Sequence, residues 1–106
     1  PATITVGDLA VDTRARTAAR DGRAIPLTTK EFALLEFLAR NAGRVLGRAE
    51  IAEHVWDDSY DPFSNSIEVH INRLRRKVDA DGASPLIHTR RGAGYLLAAT
   101  DAEGED

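Results

Sequence analysis

The sequence predicts an α+β domain in which short strands come first, helices follow, and a β-hairpin closes the fold. Three observations support this prediction. Short strand-like runs fill the first 27 residues, apolar residues then recur at helical spacing in three segments, and a glycine turn joins two more strand-like runs near the end. With 106 residues the chain suffices for one core, so we assign a single domain to residues 1–100 and an acidic, disordered tail to residues 101–106.

The opening strands are short and rich in alanine, so the sheet they form is expected to cover one face of the remaining structure. The predicted strands are Thr3–Val6, Leu9–Asp12, Thr17–Arg20 and Arg23–Ile25. Asp21-Gly22 separates the last two by two residues, which is a strong signal for a tight hairpin turn.

Two helices are predicted next. Thr28 and Glu31 have the spacing of a capping box, and apolar residues on most sides of the following segment indicate a central helix that ends at Ala42-Gly43. A shorter second helix is predicted from about Arg48 to Trp56. We expect Trp56, at the end of this helix, to pack on the core.

The third helix is predicted from Ser64 or Asn65 to about Val78, with Asn65 and Glu68 as a second capping box. At 100° per residue one side of it is an apolar stripe, formed by Ile67, Ile71, Leu74 and Val78. The opposite side carries Asn65, Val69, Asn72, Arg73 and Arg76. Arginine, asparagine and small apolar side chains are the types that contact base edges in DNA. The alternative is a solvated helix with a chance run of basic residues.

Charge is distributed unevenly along the chain. The net charge of −3 argues against nucleic-acid binding when only the total is considered. However, the tail holds four of the 17 acidic residues, and residues 64–78 carry a net charge of +3. Binding to a phosphate backbone depends more on clustered positive charge than on the total charge, so the net charge does not exclude a nucleic-acid partner.

The last predicted element is a hairpin at residues 87–97, which we call the wing. Ile87–Arg90 and Tyr95–Leu97 are strand-like, and Gly92 and Gly94 fit the tight turn between them. Arg90 and Arg91 make the predicted tip basic. Helix, turn, helix and a hairpin with a basic tip together describe a winged helix.

Several motifs, in order along residues 3–98, resemble the OmpR/PhoB family, the DNA-binding output domains of bacterial two-component response regulators. These motifs are Leu27-Thr28-x-x-Glu31-Phe32-x-Leu34-Leu35, Gly43-x-Val45-Leu46-x-Arg48, Val55-Trp56, Val69-His70-Ile71-x-Arg73-Leu74-Arg75-Arg76-Lys77 and Arg91-Gly92-x-Gly94-Tyr95. The resemblance implies a winged helix-turn-helix with an N-terminal four-stranded antiparallel sheet, three helices and a C-terminal β-hairpin wing. It further implies sequence-specific binding of duplex DNA for transcriptional regulation, with helix 65–78 in the major groove and the wing in the minor groove.

The resemblance also implies roles for individual residues. Base contacts are expected from Asn65, Val69, Asn72, Arg73 and, in the minor groove, Arg91. Phosphate contacts are expected from Arg48, Trp56, Ser66, His70, Arg75, Arg76, Lys77, Thr89 and Arg90. Asp57, Asp58, Ser59, Tyr60 and Asp61 correspond to the loop that contacts RNA polymerase in activators of the family, although a simply solvated loop is the alternative.

Three positions depart from the family pattern. Gly47 stands where a serine often caps the second helix. Glycine at this N-cap position should lower the stability of the helix by only a few tenths of a kcal/mol. Asn72 occupies a position where arginine is common, which could alter the sequence preference. Arg90 replaces a residue that is usually hydrophobic and adds charge to the wing.

The resemblance implies partners as well: double-stranded DNA bound by tandem copies on direct repeats, RNA polymerase, and a phosphorylated receiver domain, absent from this chain, with its sensor kinase. The alternatives are the output domain of another kind of multidomain regulator and a winged helix used only for protein contact. The chain opens at Pro1 without an initiator Met, so we expect it to be a piece of a longer protein.

No enzymatic activity, cofactor or metal is expected, because the sequence contains no nucleophile motif, P-loop or dinucleotide-binding glycine pattern. Its three histidines lack metal-ligand spacing, and the absence of cysteine excludes disulfides and thiolate metal sites. With no signal peptide and no apolar stretch near 20 residues, the expected location is the cytoplasm.

Overall fold

Strands, helices and hairpin follow one another in the predicted order. The structure is a computed structural model that describes residues 2–56, 64–80 and 82–99. The strands are β1 (Thr3–Val6), β2 (Leu9–Asp12), β3 (Thr17–Arg20), β4 (Arg23–Ile25), β5 (Ile87–Arg90) and β6 (Gly94–Leu97). The helices are α1 (Thr29–Arg40), α2 (Arg48–Val55) and α3 (Ser66–Val78). The predicted fold class and its wing are therefore confirmed. The tail at 101–106 and the loop Asp57–Phe63 lie outside the described residues.

The first four strands form an antiparallel meander in the order β1-β2-β3-β4. Asp21 and Gly22 both adopt positive φ, 50° and 82°, as the predicted two-residue turn between β3 and β4 requires. One face of the sheet is buried, with Leu9 and Val11 of β2 and Ala18 of β3 turned inward. The sheet therefore covers one side of the core, as the short strands predict.

The capping box of α1 is present. Thr28 Oγ1 accepts from the Glu31 amide at 3.2 Å, and Glu31 Oε1 accepts from the Thr28 amide at 3.0 Å. Leu34, Leu35 and Leu38 of this helix are fully buried, which makes α1 the centre of the core. Gly47 is the N-cap of α2 and, lacking a side chain, forms no cap hydrogen bond. The helix boundaries agree with the predictions to within about two residues.

The second predicted capping box, Asn65 with Glu68, is wrong. Asn65 is the N-cap residue of α3, but its side chain makes no cap hydrogen bond. The Glu68 carboxylate instead accepts from Arg48 Nε at 2.7 Å. A charged, partly buried partner on α2 competes more strongly for this carboxylate than a neighbouring backbone amide does.

The wing is attached to the loop between α1 and α2. Leu46 and Tyr95 exchange two backbone hydrogen bonds of 2.8 and 3.0 Å, and the Gly43 amide donates to the Leu97 carbonyl at 2.8 Å. Gly94 makes this approach possible, because a Cβ atom there would lie 2.0 Å from the Leu46 carbonyl oxygen. In the part of the chain that the structure describes, no helix is long and apolar enough to cross a membrane.

Candidate nucleic-acid interface

The two sides of α3 differ as the sequence predicts. Ile67, Ile71, Leu74 and Val78 are at most 1% exposed and anchor the helix in the core. On the other side Asn65, Asn72, Arg73 and Arg76 are exposed, and Val69 is half-buried. This side presents amide groups, which donate and accept hydrogen bonds, and guanidinium groups, which only donate, with one small apolar side chain among them.

The wing tip adds positive charge beside this helix. Arg91 is exposed and begins the turn between β5 and β6, and Arg90 is half-buried at the end of β5. An open cleft of about 440 Å³ separates the tip from the start of α3. Its polar lining includes Arg48, Glu68, Thr89, Arg90 and Arg91. Three guanidinium groups and one carboxylate therefore surround the cleft.

Arg48 forms an ion pair with Glu68. Its Nε and Nη2 atoms lie 2.7 and 3.3 Å from the two carboxylate oxygens, and Nη2 also donates to the Ser64 carbonyl. The hydrogen bond from Arg48 outweighs the effect of burial and lowers the pKa of Glu68. The pair joins the start of α2 to the first turn of α3, so Arg48, a predicted phosphate contact, also fixes how the two helices meet.

Trp56 packs mainly in the core, with only 7% of its surface exposed. Its ring lies edge-on to His70, with centroids 5.1 Å apart, and Lys30 Nζ lies 5.1 Å from its centroid. His70 is half-buried, and its Nδ1 lies 2.9 Å from the carbonyl oxygen of Ser66. These contacts agree with the packing role expected of Trp56 and place the predicted phosphate residues Trp56, Ser66 and His70 together.

Arg75 connects α3 to the wing. Its Nη2 donates to Thr89 Oγ1 at 2.7 Å, its Nε donates to the Ile87 carbonyl at 3.3 Å, and its Nη1 donates to Asn72 Oδ1 at 3.4 Å. Two predicted phosphate contacts, Arg75 and Thr89, are thus hydrogen-bonded to each other. From the sequence, Arg75 lies about 70° around the helix from the centre of the apolar stripe. This position suggests a partner at the side of the helix, but it does not indicate that the partner is the wing.

Lys77 is directed away from the exposed side of α3. Its Nζ lies 2.6 Å from Oε1 of Glu31, whose side chain is only 3% exposed. Burial raises the pKa of Glu31, but hydrogen bonds from Lys77 and Thr28 outweigh it, so the net shift is downward. Lys77 would have to leave this buried carboxylate to reach a phosphate, so the structure gives it a role in joining α3 to α1.

Of the predicted site residues, the structure brings together those on α3 other than Lys77, those of the wing, and Arg48 and Trp56 beside them. The loop residues Asp57–Asp61 lie outside the described residues. Within the described ranges, no group of three or more histidine, aspartate or glutamate side chains is arranged to hold a metal ion. Sequence reasoning missed the Arg48–Glu68 pair, for which the only signal was the lone acidic residue on a basic helix.

The sequence of this chain is similar to those of known transcriptional regulators. Residues 22–97 match the family model described as "Transcriptional regulatory protein, C terminal". The chain is 48% identical over 98 residues to the transcriptional regulatory protein CusR of Escherichia coli, covering 92% of this chain and 43% of CusR. It is 50% identical over 93 residues to the response regulator MprA of Mycobacterium leprae, covering 88% and 41%. The chain thus spans about two-fifths of these relatives.

Solved structures are similar over nearly the whole chain. The DNA-binding domain of CpxR from E. coli superposes with a TM-score of 0.79 at 36% identity, covering 92% of this chain and 98% of that domain. The DNA-binding domain of Klebsiella pneumoniae RstA, solved in complex with the RstA box, gives a TM-score of 0.81 at 33% identity with the same coverage. DrrB of Thermotoga maritima, described as an OmpR/PhoB homologue, gives 0.79 at 34% identity, covering 92% of this chain and 44% of DrrB.

Proposed function

The chain belongs to the family of transcriptional regulatory protein C-terminal domains, of the OmpR/PhoB type, and from this we propose that it binds duplex DNA sequence-specifically as the effector domain of a response regulator. The observation that carries the proposal is the exposed side of α3. Asn65, Asn72 and Arg73 extend into solvent opposite a fully buried stripe, and the basic tip of the wing lies beside the same helix.

In the proposed complex α3 enters the major groove. Base edges are contacted by Arg73, Asn65, Asn72 and Val69. Arginine and asparagine side chains form hydrogen bonds with base edges in the major groove, and a small apolar side chain can contact the thymine methyl group. Arg91 at the wing tip enters the adjacent minor groove, where a narrow A·T-rich stretch attracts arginine.

Phosphates are the proposed partners of the residues that flank these base contacts. Arg76 is exposed on α3, Arg90 lies at the wing, and Arg48, Trp56, Ser66 and His70 lie toward the start of the helix. Arg75 and Thr89 are proposed to contact a phosphate as a hydrogen-bonded pair. We leave Lys77 out of the proposed interface, because its ammonium group is bound to Glu31.

Further partners are proposed from the family. The curated relatives are more than twice as long as this chain, and we propose that the domain acts in a protein that also carries a receiver domain controlled by a sensor kinase. We propose RNA polymerase as the partner of residues Asp57, Asp58, Ser59, Tyr60 and Asp61, and tandem pairs of domains on direct repeats as the bound form.

Selection from randomised duplex DNA tests the proposal. The wild-type domain should select a defined sequence, with affinity falling steeply as salt rises, by a log–log slope of about −0.9 per phosphate neutralised. Arg73→Ala should cost about 1–3 kcal/mol on that sequence and relax one or two base positions. The matched control is Arg14→Ala, which removes an exposed arginine outside α3 and the wing and should keep the selected sequence unchanged.

Two outcomes would contradict the proposal. If the wild-type domain selects no sequence and its affinity hardly depends on salt, it is not a duplex-DNA-binding domain. If Arg73→Ala selects the wild-type sequence with undiminished preference at every position, α3 lies in the groove at a different rotation from the one proposed.

A further inference from the structure

Lys30, in the first turn of α1, is held over the ring of Trp56. Its Nζ lies 5.1 Å from the centroid of the ring and donates to the carbonyl oxygen of Val55, the last residue of α2, at 3.1 Å. A cation over the face of tryptophan is attracted by the ring. Lys30 is half-buried, and lysine side chains bury their methylene stem while the charged end stays in water. The two contacts therefore fix the position of the ammonium group without enclosing it.

The charge of Lys30 is not balanced by a carboxylate in the part of the chain that the structure describes, where none of the ion pairs includes it. Lys77 differs, because its Nζ lies 2.6 Å from the carboxylate of Glu31, the residue next to Lys30 on α1. An ammonium group has three N–H donors, and the Val55 carbonyl accepts from one of them. Lys30 can therefore donate to a further acceptor while it keeps both of its contacts.

The two flanks of α3 meet different parts of the fold. Arg75 lies on one flank and donates to Thr89 of the wing at 2.7 Å. His70 lies about 140° away around the helix axis and meets the edge of the Trp56 ring. Lys30 lies over the face of the same ring. The wing and Lys30 therefore border α3 from opposite sides.

A helix in the major groove faces phosphates on both of its flanks. The groove is about 12 Å wide and a helix with its side chains is about 10–12 Å across, so the backbones of the two DNA strands form walls on either side of it. Toward the wing, the wall faces the guanidinium groups of Arg75 and Arg90. On the other side, the proposed phosphate contacts Trp56 and Ser66 carry no charge, and Lys30 supplies a positive charge beside them.

We propose that Lys30 binds a DNA phosphate on the wall of the major groove opposite the wing, with the Trp56 ring holding its ammonium group in place. This inference rests on the proposed function and adds to it a phosphate contact from α1, outside α3 and the wing. The domain thereby neutralises charge on both DNA strands that border the recognised groove. Lys30 adds no base preference, because phosphate contacts position a protein on the duplex and do not read its sequence.

The first test is a salt titration of affinity, with the full 106-residue chain and the duplex that the wild-type domain selects. Lys30→Gln removes the charge but retains an N–H donor for the Val55 carbonyl. The log–log slope should become shallower by about 0.9, and affinity at about 0.15 M salt should fall about fivefold with the base preferences unchanged. Lys30→Arg keeps the charge and should keep the wild-type slope.

Arg40→Gln is the matched control, since it removes one positive charge from the exposed last turn of the same helix. The rise of the helix puts this position about 15 Å from Lys30, beyond the Debye length of about 8 Å at physiological salt, so the slope should not change. If Lys30 only stabilised the end of α2, Lys30→Gln would lower affinity at every salt concentration and leave the slope unchanged. The slope therefore separates phosphate binding from a merely structural role.

The second test locates the phosphate. Phosphates are replaced one at a time, on each DNA strand, by methylphosphonate, which removes the negative charge. At one replaced position Lys30→Gln should weaken binding no further, because its partner is already gone. The phosphate that depends in the same way on Thr89→Val, in the wing, should lie on the other strand.

Two results would overturn the inference while leaving the proposed function intact: equal salt slopes for the wild type and folded Lys30→Gln, or coupling of Lys30 and Thr89 to phosphates of the same strand. Circular dichroism checks the folding of each variant. If Lys30→Gln does not fold, Lys30→Met, which keeps the methylene stem against Trp56, replaces it in both tests. If the wild type shows no salt-dependent binding to duplex DNA, the proposed function fails and this inference fails with it.

Discussion

Arg20 and Asp79 are 59 positions apart in the chain, yet Arg20 Nη1 lies 3.0 Å from Asp79 Oδ1 and both side chains are nearly buried. Arg20 also donates to the backbone carbonyls of Val78 and Ser84 and to Asp8. Asp79, the C-cap residue of α3, accepts in turn from the Leu86 amide at 3.0 Å. One ion pair thus joins the N-terminal sheet, the end of α3 and the start of the wing.

We expect Arg20→Met to destabilise the domain by about 3–5 kcal/mol, because it leaves Asp79 buried without its charged partner. Urea denaturation measures the change in the free energy of unfolding. Arg23→Met is the control, since Arg23 is exposed on the neighbouring strand and its replacement should change stability by less than about 0.5 kcal/mol. Equal stability of the two variants would show that the buried pair contributes little.

The lowered pKa of Glu31 predicts a loss of stability in acid. Its folded pKa lies below the ordinary value of 4.5, so its contribution is complete above that value and is lost as pH falls through the folded pKa. At pH 7 Glu31→Gln should cost about 1.5–3 kcal/mol, because Lys77 and the Thr28 amide lose a charged acceptor. Its stability deficit relative to the wild type should then shrink as pH falls below 4.5.

Denaturation in urea from pH 7 to pH 3 provides the measurement for Glu31. The control is Glu53→Gln on the exposed side of α2, which should follow the wild-type stability curve. A deficit of Glu31→Gln that stays constant across this pH range would mean that the titration of Glu31 is not coupled to folding.

Gly94→Ala should detach the wing from the loop before α2. A Cβ atom at this position would lie 2.0 Å from the Leu46 carbonyl oxygen and 2.7 Å from its carbon, so the backbone must move and the Leu46–Tyr95 hydrogen bonds break. We expect a loss of about 2–4 kcal/mol in thermal or urea unfolding. Gly92→Ala, where φ is +72° but no neighbouring atom interferes, should cost only about 1–2 kcal/mol. An equal loss in both variants would exclude the close approach as the cause.

Charge reversal tests the proposed polymerase contact. Replacing Asp57, Asp58 or Asp61 by Lys should impair transcription without lowering affinity for DNA, because the acidic loop is proposed to touch the polymerase and not the duplex. The control is Glu103→Lys, which reverses the charge of an acidic residue in the tail, outside the loop. Transcription in vitro at saturating occupancy of the site is the measurement, and wild-type levels from all three loop variants would favour a solvated loop.

The parts of the fold that sequence predicts well depend on local patterns. The apolar stripe of α3, the turn at Asp21-Gly22 and the cap at Thr28 each involve residues a few positions apart, and each is confirmed. The exposed side of α3 follows from the stripe, because a helix with one buried side must present the other to solvent.

The parts that sequence misses depend on pairs distant along the chain. Nothing near Arg20 indicates Asp79, and nothing near Glu31 indicates Lys77, 46 positions later. The error at Glu68 has the same origin, since its sequence neighbour Asn65 suggests a cap while its partner Arg48 lies 20 positions away. Burial of a charged side chain is decided by what the tertiary fold places opposite it, and helical or strand periodicity carries no information about that.

The way the wing is attached also protects it from aggregation. A two-stranded hairpin normally exposes two unpaired strand edges, each a template for adding another chain. Here the outer edge of β6 is occupied by Leu46, while on β5 the Ile87 carbonyl accepts from Arg75 and the Ile87 amide donates to Asp79 at 3.4 Å. Two copies held close together on neighbouring sites would therefore find little open strand edge at the base of either hairpin through which to fuse their sheets.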